Sequence, residues 1–328
     1  MIRSRHRPTA GLGLVAVLAL SACSTDAAIA EADPPPASAA AAASYPVTVA
    51  SCGRDNTYER APSRVVLGYP RTLETLEALG VADAVHGYVL GSYDALPEGY
   101  PSDVVEVSPD YAPSREAVIG AQPDLFLGND EGQVTSDSGV SYDDLAEAGS
   151  KTYILGGYCS DAPAPTSIDI VTEDVTNLGE IFGVEDRAAE LVEELDSRVG
   201  AAKALGKGQD LTVGYVQVFD GKLYALAGYP ASGVIEALGL TNEWADISEN
   251  FAEISKEEAL TRTPDVLLVN YVGAANAEQA VADVEELLAG TPAVQNGRVF
   301  AADDTDFQAG GVSIVGALER AAGDIFGP

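Results

Sequence analysis

Strand segments that alternate with helical ones, a unit that occurs twice, and a helix-rich stretch between the two copies predict an α/β fold. Its architecture is two lobes with parallel sheets, joined by a long and fairly rigid helix, with a ligand cleft between them. The length of 328 residues exceeds most single compact cores, so two domains are expected. An apolar fraction of 46% together with 33 glycines marks a globular rather than a disordered chain. Acidic residues outnumber basic ones 51 to 18, a net charge of −33, and a field of that sign repels phosphate backbones and so excludes nucleic-acid binding. His6 and His86 are the only histidines, which excludes any mechanism that needs two imidazoles in the folded body, His-rich zinc sites included.

The repeat is explicit. Ser114-Arg115-Glu116, then Pro123-Asp124 and Asn129, is echoed by Ser255-Lys256-Glu257, Pro264-Asp265 and Asn270 at the same spacing. Each copy reads as a short helix, a Pro-Asp turn and a buried apolar strand. A second echo precedes each: Tyr69-Pro70 leads to Glu77-Ala78-Leu79-Gly80, and Tyr229-Pro230 to Glu236-Ala237-Leu238-Gly239. A period of roughly 140–160 residues is too long for a solenoid and fits two similar lobes.

Taken in order, Arg3, Arg5 and Arg7 precede an apolar run from Ala10 to Leu20 that ends in Ser21-Ala22-Cys23. Residues 1–22 therefore read as a secretion signal, and the small residues before Cys23 look like the lipobox at which bacterial lipoproteins are acylated. Removal of that segment takes away three arginines and no acid, which leaves 15 basic residues against 51 acidic and a charge of −36. Acyl chains hold such a chain to a membrane through buried methylenes, at about 0.8 kcal/mol each. Residues 23–44, with ten alanines and three prolines between Ser24 and Ser44, read as a flexible stalk.

Residues 45–183 form the expected first lobe. Tyr45–Val49 and Asn56–Glu59 alternate as a hairpin around Cys52-Gly53. Strands are expected at Arg64–Leu67, Ala84–Val89, Val104–Val107, Leu125–Leu127 and Thr152–Leu155, with helices at about 71–79, 114–121 and 141–148. Residues 168–182 are helical, Gly183 breaks them from 184–206, and Ala188, Leu191, Val192, Leu195 and Val199 keep helical spacing along this connecting helix. The second lobe, 207–328, offers strands at Leu211–Val218, Leu223–Ala227, Val266–Val269 and Val299–Ala301, with helices at 231–238, 255–262, 277–289 and 312–326. An exported chain meets an oxidising compartment, so Cys52 and Cys159 are read as a disulfide, with two buried free thiols as the alternative.

The lipobox, the stalk, Val47-Thr48-Val49, Cys52-Gly53, Ala61-Pro62-Ser63-Arg64-Val65-Val66, Glu74 before Ala78-Leu79-Gly80 and the doubled Pro-Asp strands together resemble the substrate-binding lipoproteins of ABC importers for iron-siderophores and cobalamin. The resemblance spans Tyr45 to Phe326. It implies two Rossmann-like lobes, a ligand clasped between them, no catalysis and no bound cofactor, and delivery to a membrane permease with its ATPase. A monomer, lipid-anchored on the extracytoplasmic face of the cell membrane, is expected. One glutamate on each lobe of that family pairs with permease arginines. Glu74 matches the pattern; in the second lobe Gly233 stands at the comparable place, and Glu236, one turn later, is the nearest acid.

Ligands of parallel α/β sheets bind beyond the carboxyl ends of the strands. Those ends carry Tyr69, Arg71, Tyr88, Tyr93, Asn129, Asp130, Glu131 and Tyr158 on the first lobe, and Phe219, Tyr229, Asn270, Tyr271 and Asp304 to Phe307 on the second. Tyrosine, 14 residues against 7 Phe and one Trp, brings an apolar face and a hydroxyl with little entropy to lose, which suits a bulky chelate. Arg71 and Arg115 are candidates for an anionic oxygen pair, Arg115 being equally well placed as a surface residue. Arg64 and His86 read as structural. A ferric siderophore is the leading cargo, with cobalamin, haem or a deazaflavin precursor as alternatives. An exported enzyme is the competing class, disfavoured because no Gly-x-Ser-x-Gly elbow occurs; a structural lipoprotein is the third.

Overall fold

The computed structural model of the chain describes residues 44–91, 96–97, 99–135, 139–159, 167–228, 230–247, 249, 251–271, 276–308 and 310–327. The signal segment, Cys23, most of the stalk, Tyr93 and Tyr229 lie outside them, as does the side chain of Phe307. Residues 40–328 form one compact unit.

That unit begins with a hairpin, β1 (Val47–Ser51) and β2 (Arg54–Tyr58), whose two turn residues Cys52 and Gly53 both take positive φ. This is the geometry that matches the right-handed twist of the strands. The first sheet follows. Its elements are β3 (Val65–Leu67), α1 (Leu73–Leu79), β4 (Val85–Val89), β5 (Val105–Ser108), α2 (Arg115–Ala121), β6 (Leu125–Gly128), α3 (Gly132–Thr135), α4 (Tyr142–Glu147) and β7 (Lys151–Ile154). All five strands run parallel in the order β5-β4-β3-β6-β7. The order reverses between β3 and β6, and ligands of such sheets bind beyond the carboxyl ends of the strands at that switch point.

Helix α5 (Ile170–Phe182) stops at Gly183 in the left-handed region, and α6 (Glu185–Leu205) carries the chain to the second lobe. Its apolar stripe buries Ala188, Leu191 and Leu195, as the spacing requires. The second lobe is built from β8 (Thr212–Phe219), β9 (Lys222–Leu226), α7 (Ala231–Ala237), β10 (Thr241–Asn242), β11 (Phe251–Ile254), α8 (Lys256–Thr261), β12 (Val266–Tyr271), α9 (Ala277–Leu287), α10 (Pro292–Gln295), β13 (Val299–Asp303), α11 (Asp304–Gln308) and α12 (Val312–Phe326). Its strand order is β11-β9-β8-β12-β13, with β10 pairing the start of β8.

Here the structure departs from the expected parallel sheet. Strands β10, β8, β12 and β13 are parallel, but β9 and β11 are antiparallel additions. The cause is local: Asp220 and Gly221, both at positive φ, make a two-residue turn that folds β9 back on β8. An Asp-Gly pair between two apolar runs is a hairpin signal, and the sequence reading passed over it. Strands β10 and β11 and the short helices α3, α10 and α11 were also unforeseen; each has six residues or fewer and too little periodicity to read.

One apolar cluster runs through both lobes. It joins Leu67, Leu76 and Leu127 of the first lobe, Leu178, Leu191 and Leu195 of the connecting helices, and Tyr215, Leu268 and Leu318 of the second. A core continuous across the connection resists relative movement of the lobes far more than a polar linker would.

Candidate ligand cleft

The carboxyl ends of the two sheets are drawn together by named contacts. Gly310 and Gly311, at φ +65 and +62, sit where a side chain would run into the first lobe: a Cβ on Gly310 would lie 3.2 Å from Leu155 Cβ, and one on Gly311 would collide with Thr75. Glycine is required twice over, by the backbone and by the close approach. The Val312 amide at the start of α12 donates to Thr75 Oγ1 at 3.2 Å.

Beside this contact lies a charged seam. Arg71, in the 3-10 turn Pro70–Thr72 after β3, donates from Nη2 to Asp306 Oδ1 of α11 at 2.7 Å, and the same Nη2 is 3.2 Å from Glu74 Oε1. Arg320 of α12 holds the other oxygen of Asp306. Burial pushes the carboxyls of Asp306 and Glu74 up from the usual range, and in both the arginines oppose that effect. A small groove of about 70 Å³ is lined by Asp306 together with Tyr271, Asp303, Arg320, Leu268 and Ala302.

The strand ends of the second lobe form one polar chain. Tyr215 Oη donates to Asn270 Oδ1 at 2.9 Å, and Asn270 Nδ2 donates to Gln217 Oε1 at 3.0 Å and to Asp304 Oδ1 at 2.7 Å. Burial, and then Asp304, Asp306 and Asp303, raise the Tyr215 phenol well above its ordinary value. Tyr271 is raised as well, by burial first and then by Asp303. Phe219 is 44% exposed at the end of β8.

On the first lobe Gln133, fully buried, fastens the ends of two strands: its Nε2 donates to the Gly68 carbonyl at 2.8 Å while Oε1 accepts from the Asn129 amide at 3.2 Å. Asn129 and Tyr69 are buried, Tyr158 is half-buried, and Tyr88 is buried with its ring edge-on to Tyr100 at 5.2 Å. The Tyr158 carbonyl accepts from the Glu131 amide, and Glu131 Oε1 accepts from Tyr142 Oη at 3.0 Å. Cys52 and Cys159 are disulfide-bonded and tie the β1–β2 hairpin to the segment after β7.

Other predicted residues fall elsewhere. Arg115 is exposed and donates from Nε to Asp144 Oδ1 at 2.6 Å, the acid that also closes the cap of α4. Glu236 is exposed on α7, while Gly233 of the same helix is buried. His86 Nε2 lies 2.5 Å from Arg64 Nη2, and Arg64 Nε donates to the Ala121 carbonyl, so both belong to the sheet's support. Gln217, Arg320 and Tyr215 were missed; Arg320 was the most readable of the three, because cations are so rare in this chain. Among the described residues, no three His, Cys, Asp or Glu side chains gather as a cation site, and no helix is long and apolar enough to cross a membrane.

Comparison with known proteins agrees with the two-lobed α/β fold. A sequence profile described as periplasmic binding protein matches residues 65–305, well over half of the chain. A cobalamin-binding protein of Halobacterium salinarum is 29% identical over 263 residues, 79% of this chain and 66% of that protein, so the match spans a little under two thirds of the relative. Among solved structures, one described as an ABC-type Fe3+-hydroxamate transport system from Saccharomonospora viridis superposes with a TM-score of 0.72 and 26% identity over 87% of this chain and 100% of the other. The periplasmic heme-binding protein RhuT from Roseiflexus sp. RS-1 gives 0.65 and 22% over 80% and 98%, a likeness of fold alone.

Proposed function

Because the chain belongs to the periplasmic binding protein family, we propose that it is the extracytoplasmic solute-binding protein of an ABC importer, which captures a ferric siderophore between its lobes and hands it to the permease. The observation that carries this reading is the meeting of the two sets of strand ends across Arg71 and Asp306. A small molecule in that seam touches both lobes at once, and its affinity then depends on how the lobes are set. An iron chelate as cargo is supported by the likeness to the S. viridis protein and by the tyrosines at the strand ends. Cobalamin is the second reading, favoured by the 29% identity to the halobacterial protein.

In this reading Cys23 carries the lipid, and the permease is met by Glu236, exposed on α7, and by Glu74, which is half-buried and leaves Arg71, 3.2 Å away, to do so. Tyr69, Arg71, Tyr88, Asn129, Tyr158, Phe219, Asn270 and Tyr271 are the described candidates for cargo contact. Intrinsic fluorescence titration tests the choice of cargo. Trp244, the single tryptophan, is buried in the second lobe's α9-side cluster, and the 14 tyrosines are excited with it, so the titration reads quenching of their summed emission. Quenching by ferric hydroxamates or catecholates with submicromolar midpoints is expected. Quenching by cyanocobalamin alone would move the assignment to the second reading, and silence with every chelate, cyanocobalamin and haem would overturn both.

A further inference from the structure

Asp306 is 5% exposed and bound by two guanidinium groups, one from each side of the seam: Arg71 of the first lobe on Oδ1 and Arg320 of α12 on Oδ2. Two features set this apart from an ion pair that merely fastens the lobes. The first is an unused donor. Arg71 Nε is buried and finds no hydrogen-bond partner among the described residues, although an arginine that grips a carboxylate with its whole fork uses Nε and Nη together. Burying a donor with nothing to receive it is unfavourable, and the arrangement is relieved by any ligand oxygen that reaches Nε. The second is access. The Arg320 side chain is 56% exposed and lines the groove beside Asp306, while the Arg71 side chain is 23% exposed on the other side of that carboxylate, so an oxygen pair can meet Arg320 from solvent and reach Arg71 as Asp306 gives way.

Stability gives little reason for the arrangement, because a buried ion pair repays its desolvation only when its geometry is complete. In a chain with 51 acids and 18 bases, two arginines converging on one point concentrate the scarcest charge of the molecule. We propose that Arg71 and Arg320 form an anion clamp across the two lobes, which takes a paired-oxygen anion such as a carboxylate, hydroxamate or catecholate, and that Asp306 is the resident counter-ion which the incoming anion displaces. The clamp rests on the solute-binding reading and adds to it Arg320 as a contact and Asp306 as an internal competitor.

Citrate, a small tricarboxylate, is the probe, titrated calorimetrically into the full-length chain and its variants. Asp306→Asn removes the competitor's charge and is expected to bind citrate at least tenfold tighter than the wild type. The gain is expected to vanish in Arg71→Gln/Asp306→Asn and in Arg320→Gln/Asp306→Asn. Equal affinities of wild type and Asp306→Asn, binding detectable in neither, or a gain that survives removal of either arginine overturns the clamp. Should Asp306→Asn not fold, Arg320→Gln in the otherwise unaltered chain decides: at least fivefold weaker citrate binding supports the clamp and an unchanged constant refutes it. The fluorescence titration separates the two claims. A chain that is quenched by a ferric chelate yet shows no gain in Asp306→Asn loses only the clamp, and one that shows the gain but binds no cargo loses only the solute-binding reading.

Discussion

The two copies of the repeated unit agree where their strands begin and part company where the strands end. At the beginning, Asp124 and Asp265, each following its proline, do the same work: Asp124 accepts from the Ser63 and Arg64 amides, Asp265 from the Thr212 amide, and each fastens the start of a neighbouring strand. Ser114 and Ser255 cap the helices that follow them in the same way, by accepting from the amides of Ala117 and Glu258. At the far end, a buried tyrosine hydroxyl donates in both lobes, but to different acceptors. Tyr153 donates to the Asp174 carboxyl at 2.8 Å and Tyr215 to the Asn270 amide oxygen at 2.9 Å. The first lobe adds a disulfide there to its separate β1–β2 hairpin, and the second extends its own sheet with an antiparallel ribbon. What registers a strand is thus repeated, while the carboxyl ends of the strands, where the cleft is proposed, are built separately in each lobe.

The largest expected effect comes from the disulfide, because it belongs to one lobe only. Cys52 and Cys159 are 107 residues apart in sequence, and closing a loop of that length limits the unfolded chain by about 4–5 kcal/mol on the entropy model. Replacing both with serine should lower the stability of the first lobe by about that much and leave the second lobe's own contacts intact. Hydrogen exchange followed by peptide mass analysis checks this: amides of β3–β7 should lose protection before those of β8–β13. Equal loss in both sheets would mean that the continuous core couples the lobes into one unfolding unit.

The next effect depends on pH and on the same asymmetry. Asp174 of α5 is wholly buried, accepts from Tyr153 Oη and from the Gly156 amide at 2.6 Å, and burial pushes its pKa up to about 7, with Glu173 adding to the rise and the two donors opposing it. In the unfolded chain an aspartate titrates near 3.9. The folded state therefore holds a proton that the unfolded state has released between those values. The associated stability is complete below about pH 4 and declines as pH rises towards 7, by at most about 1.4 kcal/mol per pH unit. Asp174→Asn gives the first lobe the neutral partner that Asn270 provides in the second. The variant should show a flatter stability profile from pH 4 to 7 and exceed the wild type at pH 8 in urea denaturation. A variant weaker than the wild type by the same margin at pH 5 and pH 8 would show that the carboxyl acts only as a hydrogen-bond acceptor.

Much of this fold is legible in the sequence because long apolar periods and the repeat fix it. Strands β3 to β7, helix α6 and helix α12 all fall within a residue or two of their expected places. The ribbon was not read because its signal, Asp220-Gly221, is two residues long and sits inside a pattern that otherwise alternates strand with helix. Side-chain partnerships were less legible still. Arg71 and Asp306 are 235 residues apart, and nothing local in either segment names the other. Arg115 shows the converse: its place at the start of a helix after a strand was read correctly, but the neighbouring Asp144, 29 residues on, takes its guanidinium. Elements follow from local pattern, and ligand sites from long-range coincidence of side chains, which periodicity does not encode.

The smallest expected effect tests the part that the two lobes share. Asp124 serves three donors, the Ser63 amide at 2.9 Å, Ser63 Oγ at 3.0 Å and the Arg64 amide at 2.9 Å. Asp265 serves two, both on Thr212: the amide at 2.9 Å and, more loosely, Oγ1 at 3.3 Å. Hydrogen bonds to an ionised acceptor contribute more than neutral ones, but Ser63 is exposed and water replaces part of what is lost there. Asp124→Ala should then lower stability by about 2 kcal/mol and Asp265→Ala by about 1 kcal/mol. Both aspartates sit at the amino ends of the strands, far along the chain from the seam residues, so cargo affinity should stay within twofold in each variant. If the order of the two losses is reversed, strand registration depends less on the count of donors than on the backbone pair that accompanies them, Asp124 amide to Arg64 carbonyl at 2.9 Å and Asp265 amide to Thr212 carbonyl at 3.0 Å. A tenfold loss of cargo affinity in either variant would show that the starts of the strands, and not only their ends, set the geometry of the cleft.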